Sequence, residues 1–359
     1  MFKDVVRKDV PLTPEQELEK QLAAYRAKVS VVEVVENTIS RQFLVRLGPG
    51  VRINKLQSLS NEIGLILGSV HAVRVFPVPE KGLVAIEIPL VKRSVKGFKE
   101  SLGECEQFHA DTECKIPLLF GVDATGDNYV VDLTELPHLL VSGQTGSGKS
   151  VFLRALINSV MAGTSIHNAQ MLLIDPKNVE FSPYNGSSNL LVDTISEPES
   201  ANEALWWLIE RMEKRYTILA QYRCSNIFEF NQQSAKKLPP MVVFIDEFAD
   251  LVMQDKEISS MIVRLAQKGR AAGIYLIIAT QRPSSKVIDG LIKANFAARV
   301  ALRVVSVVDS RIVLDQPGAE KLLGKGDMLF SFGSELVRLQ GIYTDVKDIE
   351  CSSRVEVAA

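Results

Sequence analysis

Residues 139–150 read Leu-Leu-Val-Ser-Gly-Gln-Thr-Gly-Ser-Gly-Lys-Ser, an apolar run that ends in a glycine-rich turn. A stretch compatible with a helix, Val151 to Met161, follows directly. Glycine allows the positive φ angles and the close backbone approach that a tight turn around an anion needs. The order of strand, turn and helix therefore predicts a phosphate-binding turn, because the first N–H groups of a helix have no partners within it.

The spacing within this turn is G-x-x-x-x-G-K-S, which is typical of a loop that holds a nucleoside triphosphate. Lys149 is expected to reach the β- and γ-phosphates, and Ser150 to hold Mg²⁺. The alternative, a Gly/Ser-rich turn with a stray lysine, is disfavoured by the flanking strand and helix. The sequence thus predicts that ATP and Mg²⁺ bind at Gly143, Gln144, Thr145, Gly146, Ser147, Gly148, Lys149 and Ser150.

A second apolar run, residues 241–245, ends in two acids, Asp246 and Glu247. Alone, such a pair is a weak indication, and a surface acid pair is the alternative interpretation. Downstream of an intact phosphate loop, it predicts the second half of an ATPase site. We expect Asp246 to anchor the Mg²⁺ shell and Glu247 to orient or deprotonate the attacking water.

Two further apolar runs end in polar residues, which the carboxyl edge of an α/β sheet would bring to the same ligand. Residues 170–174 precede Asp175, for which a ligand-binding carboxylate and a plain strand-ending turn are equally good interpretations. Residues 274–279 precede Thr280 and Gln281. Gln281 is the candidate sensor of the γ-phosphate.

The composition indicates a folded chain with room for two domains. Of its 359 residues 46% are hydrophobic, which argues against disorder, and the formal net charge is −2. The chain is not a globally basic nucleic-acid binder, so any such contact must come from a local patch or an assembled surface. No apolar run approaches a membrane span, the first residues do not resemble a signal peptide, and four cysteines favour a reducing compartment.

Patterns along the chain divide it into four segments. Residues 1–29 are predicted to be an N-terminal helical extension, because apolar periodicity predicts a helix over 13–36 with a capping box at Thr13 and Gln16. The other segments are a small α+β domain at 30–92, a charged connector at 93–116 and the ATPase domain at 117–359. Within the small domain we expect a strand at 41–47, a helix at 51–67, and strands at 70–77 and 83–89.

The last segment alternates strands with helices from 139 to 343, which predicts a mostly parallel sheet with helices on both faces. The predicted fold class is therefore α/β, preceded by a small α+β domain. That small domain carries no catalytic constellation, so packing or assembly is its expected role.

Taken together, these pieces resemble the motor region of the FtsK/SpoIIIE family of DNA translocases. The similarity covers nearly the whole chain from about residue 30. Beyond the phosphate loop, the motifs that carry the similarity are spread from residue 174 to residue 329. They include Ile-Asp-Pro-Lys at 174–177, Met-Glu-Lys-Arg-Tyr at 212–216, Ile-Asp-Glu-Phe-Ala-Asp-Leu at 245–251, Leu-Ala-Gln-Lys-Gly-Arg-Ala-Ala-Gly-Ile at 265–274, Ala-Thr-Gln-Arg-Pro-Ser at 279–284, Asp-Ser-Arg-Ile-Val-Leu-Asp-Gln at 309–316 and Gly-Ala-Glu-Lys-Leu-Leu-Gly-Lys-Gly-Asp-Met-Leu at 318–329. The resemblance implies a RecA-like P-loop ATPase domain behind a small α domain.

The resemblance also implies an assembly and a substrate. Members of this family form homo-hexameric rings around double-stranded DNA, with ATP between subunits and an arginine finger from the neighbour. On the family pattern Arg270 is the candidate finger, with Arg264 in reserve. The basic positions that match the family's DNA path are Arg282, Lys293 and Arg311. The implied location is the bacterial cytoplasm, at the inner face of the membrane if a tether lies outside this chain.

The sequence departs from the family in places that affect DNA handling. The family's membrane-spanning N-terminus, linker and winged-helix module have no match here, so we expect no reading of orientation sequences. Position 307, just before the Asp-Ser-Arg motif, is Val where lysine is common. The family implies chromosome partition or cell division, with plasmid and phage roles left open. Two alternatives to a DNA translocase are a related protein-secretion ATPase, against which the basic set argues, and a degenerate nucleotide-binding scaffold, against which the intact site residues argue.

Overall fold

The computed structural model describes residues 12–36, 40–70, 72–90, 95–103, 114–123, 125–163, 169–333, 335–345 and 348. The chain forms two compact units, Met1–Ser94 and Val95–Ala359. Among the helices of the described ranges, none is long and apolar enough to cross a membrane.

Over its described residues, the first unit is a four-stranded antiparallel sheet covered by three helices. Its strands, in the order β1-β2-β4-β3 across the sheet, are β1 (Val29–Glu36), β2 (Ser40–Leu47), β3 (Arg74–Val78) and β4 (Leu83–Pro89). Its helices are α1 (Pro14–Ala24), α2 (Ile53–Ser58) and α3 (Ser60–Ile66). Apolar side chains of both layers form one core, in which Leu18 and Leu22 of α1 contribute alongside Phe43 and Ile63. The predicted strands of this unit are present, and the helix expected at 51–67 is two short helices that meet at Leu59.

The prediction of one helix over 13–36 is wrong in its second half. The capping box is present, because Thr13 Oγ1 accepts from the Gln16 N–H at 3.3 Å and Gln16 Oε1 accepts from the Thr13 N–H at 3.1 Å. The helix ends at Ala24, and Arg26 takes a left-handed φ of 56°. From Val29 onward the run Val-Ser-Val-Val-Glu-Val-Val is rich in β-branched residues, which favour a strand that packs on a sheet. The four-segment division proposed from the sequence stays a prediction.

The second unit is built on one nine-stranded sheet in the order β6-β5-β13-β12-β11-β7-β10-β9-β8. Its strands are β5 (Pro117–Val122), β6 (Asn128–Asp132), β7 (His138–Ser142), β8 (Gln170–Ile174), β9 (Met241–Ile245), β10 (Ile274–Thr280), β11 (Ala298–Leu302), β12 (Asp327–Phe332) and β13 (Glu335–Gln340). Its helices include α4 (Lys149–Gly163), α5 (Pro198–Tyr222), α6 (Ile227–Gln233), α7 (Phe248–Gln254), α8 (Lys256–Lys268), α9 (Gly290–Asn295) and α10 (Val307–Leu314).

This sheet is mixed, and the α/β fold class is confirmed. The five strands from β11 to β8 run parallel, as the alternation of strands and helices predicts. The remaining four strands pair antiparallel through β12 and extend the sheet on one side. The segment 95–103 belongs to this unit, since Gly97 bridges Tyr343 and the Phe98 N–H donates to the Tyr343 carbonyl at 3.0 Å. The rest of the predicted connector lies largely outside the described residues.

Helices cover both faces of the parallel half. Alternate residues of β10 point to opposite faces, so Leu276 packs in the cluster with α5 and α8 while Ile277 packs in the cluster with α4. Burial on both faces explains why these strands read as continuous apolar runs rather than alternating ones.

Register brings the carboxyl ends of four strands to one level. Ser142 of β7 lies opposite Thr280 of β10, and Ile245 of β9 lies opposite both Ile278 and Ile174. The chain segments that leave these strands therefore start side by side, which places the polar residues that follow them at one edge.

A buried histidine, His138, lies at the other end of β7. Its Nδ1 accepts from the Leu276 N–H at 3.0 Å, so Nε2 carries the proton and donates to the Ala266 carbonyl at 3.0 Å. Burial lowers the pKa of His138 to about 4, and the cation of Arg270 adds to this effect against the bond to Ala266. The imidazole is therefore neutral, and it ties β7 to α8.

We expect His138 to make the second unit less stable in mild acid. Below pH 6.5 the unfolded chain takes up this proton, whereas the folded chain does so only near pH 4, so the free energy of unfolding falls by up to about 3 kcal/mol across that window. Urea unfolding followed by tryptophan fluorescence measures this, because Trp206 and Trp207 of α5 are the only tryptophans of the chain.

His138→Gln is the matched control, since an amide can accept and donate but does not titrate in this range. The difference in unfolding free energy between the two proteins should shrink as pH falls from 7 to 5. The other three histidines are common to both and cancel in the comparison. An identical pH dependence in the two proteins would contradict the assignment.

Candidate nucleotide-binding site

The phosphate loop follows β7 and leads into α4, as the sequence predicts. Gly146 and Gly148 have φ values of 76° and 102°, which disfavour other residues. At Gly148 the requirement is also steric, because a Cβ there would lie 2.4 Å from the backbone nitrogen of Gly326. Glycine is therefore needed at this position both for its φ angle and for a neighbouring backbone.

That neighbouring backbone is a second loop, Gly324–Gly326, which supports the first. All three residues are left-handed, with φ values of 79°, 54° and 90°, and Gly326 donates its N–H to the Ser147 carbonyl at 2.8 Å. The motif Gly-Lys-Gly was visible in the sequence as part of the family pattern, but spacing alone gave it no role.

The two loops border a pocket of about 830 Å³ in the second unit. Six of the eight predicted loop residues line it: Gln144, Thr145, Gly146, Gly148, Lys149 and Ser150. Gly143 instead packs against Ser147, whose buried Oγ makes no hydrogen bond within the described part of the chain. Farther walls, which the sequence analysis missed, come from Val95, Gly97, Lys325, Ile342 and Tyr343. A glycine-lined mouth, a buried lysine, an orphaned hydroxyl and the start of a 15-residue helix fit a nucleoside triphosphate with its Mg²⁺.

Lys149 and Asp246 form a buried ion pair beside this pocket. Both residues are 3% exposed, and Lys149 Nζ contacts Asp246 Oδ1 directly. Burial raises the pKa of Asp246 above its ordinary value, and the ammonium of Lys149 opposes this shift only in part. The pair thus joins the first turn of α4 to the carboxyl end of β9.

Glu247 is buried next to this pair, in a left-handed conformation with φ 47° and ψ 51°. Its Oε1 accepts from the Thr280 hydroxyl and from the Gln281 N–H, both at 3.1 Å. Its Oε2 accepts from Lys177 Nζ at 3.3 Å. The left-handed conformation changes the direction of the chain after β9. Hydrogen-bond donors at the end of β10 and just after β8 hold the Glu247 carboxylate.

Gln281 lines the pocket from the end of β10. Its side-chain Oε1 accepts from the Thr145 hydroxyl at 3.0 Å, so it contacts the phosphate loop directly. The structure therefore brings together four of the predicted catalytic side chains: Lys149, Asp246, Glu247 and Gln281. That they act in catalysis stays a prediction.

Asp175 has a structural place in the fold. Its buried carboxylate accepts four backbone N–H groups, from Lys177, Val179, Glu180 and Phe181, at 2.8 to 3.2 Å. Of the two interpretations left open, the strand-ending turn accounts for this carboxylate, which does not line the pocket.

Arg270 and Arg264 lie away from the pocket of their own chain. Arg270 is exposed and lies just before the first residue of β10, whereas the phosphate loop follows the last residue of the neighbouring parallel strand β7. Arg270 and the phosphate loop are therefore separated by the length of a seven-residue strand, which is roughly 20 Å. Arg270, together with Lys115 and Lys268, borders a separate cavity of about 490 Å³. Arg264 pairs with Glu213 at 3.1 Å on the helix surface.

The three predicted DNA-contacting cations differ in their surroundings. Arg282 and Arg311 are exposed. Within the described residues, neither guanidinium group forms a hydrogen bond or an ion pair. Lys293 is half-buried and pairs with Asp315 at 2.7 Å. Lys293 is thus partly neutralised, and Arg282 and Arg311 are the stronger candidates for an anionic partner.

Comparison with known proteins identifies the family to which the chain is similar. The model of the FtsK/SpoIIIE family matches residues 104–285, and that of the FtsK alpha domain matches residues 5–90. The chain is 39% identical to the DNA translocase FtsK of Haemophilus influenzae, over 91% of this chain and 67% of that protein. It is 40% identical to the DNA translocase FtsK of Treponema pallidum and to the DNA translocase SftA of Bacillus subtilis, of which it covers 42% and 36%.

Solved structures agree with the fold. The conjugation coupling protein TcpA of pCW3, in its monomer form with ATPγS, superimposes with a TM-score of 0.67 at 24% identity, over 94% of this chain and 99% of that one. The type VII secretion ATPase EccC of Thermomonospora curvata superimposes with a TM-score of 0.57 at 24% identity, over 64% and 29%. Both are similar in fold, which is that of RecA-like P-loop ATPases.

We expect Lys149→Ala to abolish ATP hydrolysis and also to destabilise the second unit. Removal of the ammonium leaves Asp246 as a buried, unpaired carboxylate, which costs about 3–5 kcal/mol of unfolding free energy. The cost is largest at neutral pH and is relieved in acid, because the pKa of Asp246 is raised in the folded state. Urea unfolding and steady-state phosphate release measure the two effects.

Lys149→Ala/Asp246→Asn separates stability from function. The double variant should recover most of the lost stability, because the amide carries no charge, and should still hydrolyse no ATP. Turnover at the wild-type rate in either variant would remove Lys149 from the site.

Proposed function

Because the chain belongs to the FtsK/SpoIIIE family, we propose that it is an ATP-driven motor that moves double-stranded DNA. The observation that carries the proposal is the convergence of Lys149, Asp246, Glu247 and Gln281 beside one loop-lined pocket. The relatives of about 40% identity named above are DNA translocases. The chain spans 36 to 67% of their length, so their substrate and activity are proposed for it here.

Each residue of the pocket has a proposed part in ATP hydrolysis. Lys149 leaves its pair with Asp246 to contact the terminal phosphates, and Ser150 and Asp246 hold Mg²⁺. When bound, the metal ion neutralises charge on the phosphates. Glu247 orients or deprotonates the attacking water, and its buried carboxylate is suited to this because it is held from two sides. Gln281, which contacts Thr145 of the loop, senses the γ-phosphate.

A second copy of the chain completes the site in this proposal. Charge that develops on the transferred phosphoryl group requires a cation, and Arg270 lies too far from its own loop to provide one. In a ring, Arg270 of one subunit would face the pocket of its neighbour. We therefore propose a homo-hexamer with ATP between subunits.

DNA contacts in this proposal come from Arg282 and Arg311, with a weaker part for the paired Lys293. Contacts of this kind go to phosphates, so they depend little on sequence and strongly on salt. A ring would concentrate these cations in its pore, which reconciles DNA binding with a net charge of −2. The bacterial cytoplasmic location and a membrane tether outside this chain stay predictions from the family.

A secretion-type ATPase is the other outcome that the tests must separate. The likeness to EccC concerns the fold and does not favour protein over DNA as the transported polymer.

We expect duplex DNA to stimulate ATP hydrolysis by this chain. Steady-state hydrolysis is measured without nucleic acid, with linear duplex DNA and with single-stranded DNA, each at two salt concentrations. Stimulation by duplex alone that weakens with salt is the expected result, because phosphate contacts carry the interaction. Hydrolysis that is indifferent to DNA in both salts would refute the DNA motor and favour the secretion-type ATPase.

We expect Arg270→Ala subunits to bind ATP and to hydrolyse it about 10³-fold more slowly, as arginine fingers in other phosphoryl-transfer sites suggest. Glu247→Ala subunits should also be inactive. Mixed assemblies of the two should regain part of the activity, because some interfaces then combine an intact Glu247 with an intact Arg270. Arg264→Ala tests the reserve candidate and should keep near wild-type turnover, because Arg264 pairs with Glu213 on the helix surface. A loss of turnover in Arg264→Ala but not in Arg270→Ala would move the finger to Arg264. No recovery in the mixture would count against a finger that acts between subunits.

A further inference from the structure

The motif at 174–177 brings a lysine, Lys177, to the proposed catalytic carboxylate. Lys177 Nζ lies 3.3 Å from Glu247 Oε2 and 3.6 Å from Asp250 Oδ2. The lysine side chain is half exposed, whereas that of Glu247 is 2% exposed. The contact thus reaches from the surface to a buried anion.

The backbone around Lys177 is fixed by a buried group. The Asp175 carboxylate accepts the N–H of Lys177 itself at 3.0 Å and three further N–H groups of the same turn. Phe181 at the end of this turn is fully buried, and Asn178 takes a left-handed φ of 50°. A turn held in this way sets the direction of the Lys177 side chain, so Asp175 positions the lysine.

Glu247 is held from two sides, and Lys177 forms one of them. Thr280 and Gln281 at the end of β10 both donate to Oε1. Within the described residues, Lys177 is the donor to Oε2. A buried carboxylate that lost this cation would be undersatisfied and free to turn about its last torsion.

Lys177 is also held on its outer side. Asp250 lies in the first turn of α7, directly after Glu247, and its carboxylate flanks the ammonium. Burial lowers the pKa of Lys177, but the carboxylates of Glu247, Asp250 and Asp246 more than offset this and raise it, so the side chain is a cation at neutral pH.

We propose that Lys177 is a positioning residue for ATP hydrolysis, which acts by holding the Glu247 carboxylate in place, aimed at the attacking water. Within the described residues, the ion pairs of Lys177 go to Glu247 and Asp250 and not to the phosphate loop, so it acts through Glu247 rather than on the nucleotide. This inference rests on the proposed role of Glu247 in hydrolysis. It gives the Asp-Pro-Lys motif a function that neither the pocket nor the DNA path explains.

A double-mutant cycle on the full chain tests the proposal. Lys177→Gln should lower the single-turnover rate of ATP hydrolysis about 10- to 100-fold, as misplacement of a catalytic group by about an ångström does, while the Kd for a fluorescent ATP analogue stays nearly unchanged. Lys177→Arg should restore most of the rate, because a guanidinium can still donate to Oε2. In a Glu247→Gln background, Lys177→Gln should have no further effect.

Lys214→Gln is the matched control, because Lys214 also pairs with an acid, Glu210, but on an exposed helix face. It should keep the wild-type rate. Urea unfolding of each variant shows that the rate change is not a loss of fold.

The proposal is overturned if Lys177→Gln keeps the wild-type rate, if it loses ATP affinity in parallel with rate, or if it slows the Glu247→Gln protein by the same factor. All rates are taken with and without duplex DNA. If the wild-type chain hydrolyses ATP at the same rate with and without DNA, the DNA motor is refuted, but the double-mutant cycle at Lys177 and Glu247 can still be measured. A wild-type chain that hydrolyses no ATP would refute both.

Discussion

The buried ion pair between Lys149 and Asp246 is the interaction on which the rest of this site depends. A charged group taken out of water is tolerated only with a partner, so the lysine at the start of α4 must meet an acid at the end of β9. That requirement can be met because β10 lies between β7 and β9 with its register aligned to both. The parallel sheet sets the level of the strand ends, and the ion pair then fixes how the phosphate loop sits above them. Glu247, Thr280 and Gln281 belong to the same level and are linked by hydrogen bonds around this pair.

Much of this arrangement could be predicted from the sequence because it follows from local patterns. The buried strands β8, β9 and β10 are continuous apolar runs that end in polar residues, so both their bounds and the edge they share were predictable. The helix predicted over 13–36 failed because β-branched residues from Val29 onward pair with β2, a contact that periodicity does not contain. The antiparallel extension through β12 and β13 was also beyond prediction, since it depends on pairing between distant segments.

Within the site, the sequence pointed to the residues proposed to carry the chemistry and missed the contacts that hold them in place. Lys149, Asp246 and Gln281 follow from motif spacing. The contact of Lys177 with Glu247 joins residues 70 positions apart, and the support of the phosphate loop by Gly326 joins residues more than 170 apart. No local pattern encodes such distances. The signal that could have pointed to them was the presence of unassigned charged or glycine-rich motifs, Asp-Pro-Lys and Gly-Lys-Gly, in a chain whose other motifs had roles.

The walls of the pocket come from both ends of the second unit. Val95 and Gly97 lie at its start and Ile342 and Tyr343 near its end, joined by the bridge between Gly97 and Tyr343. The family motor match, residues 104–285, contains the phosphate loop and the acid pair but neither of these walls, nor Gly326. A recombinant fragment trimmed to that match would retain the predicted catalytic side chains and lose these walls of the pocket. Fragments for biochemistry should therefore begin before residue 95 and extend beyond residue 343, and an inactive shorter fragment would be uninformative about catalysis.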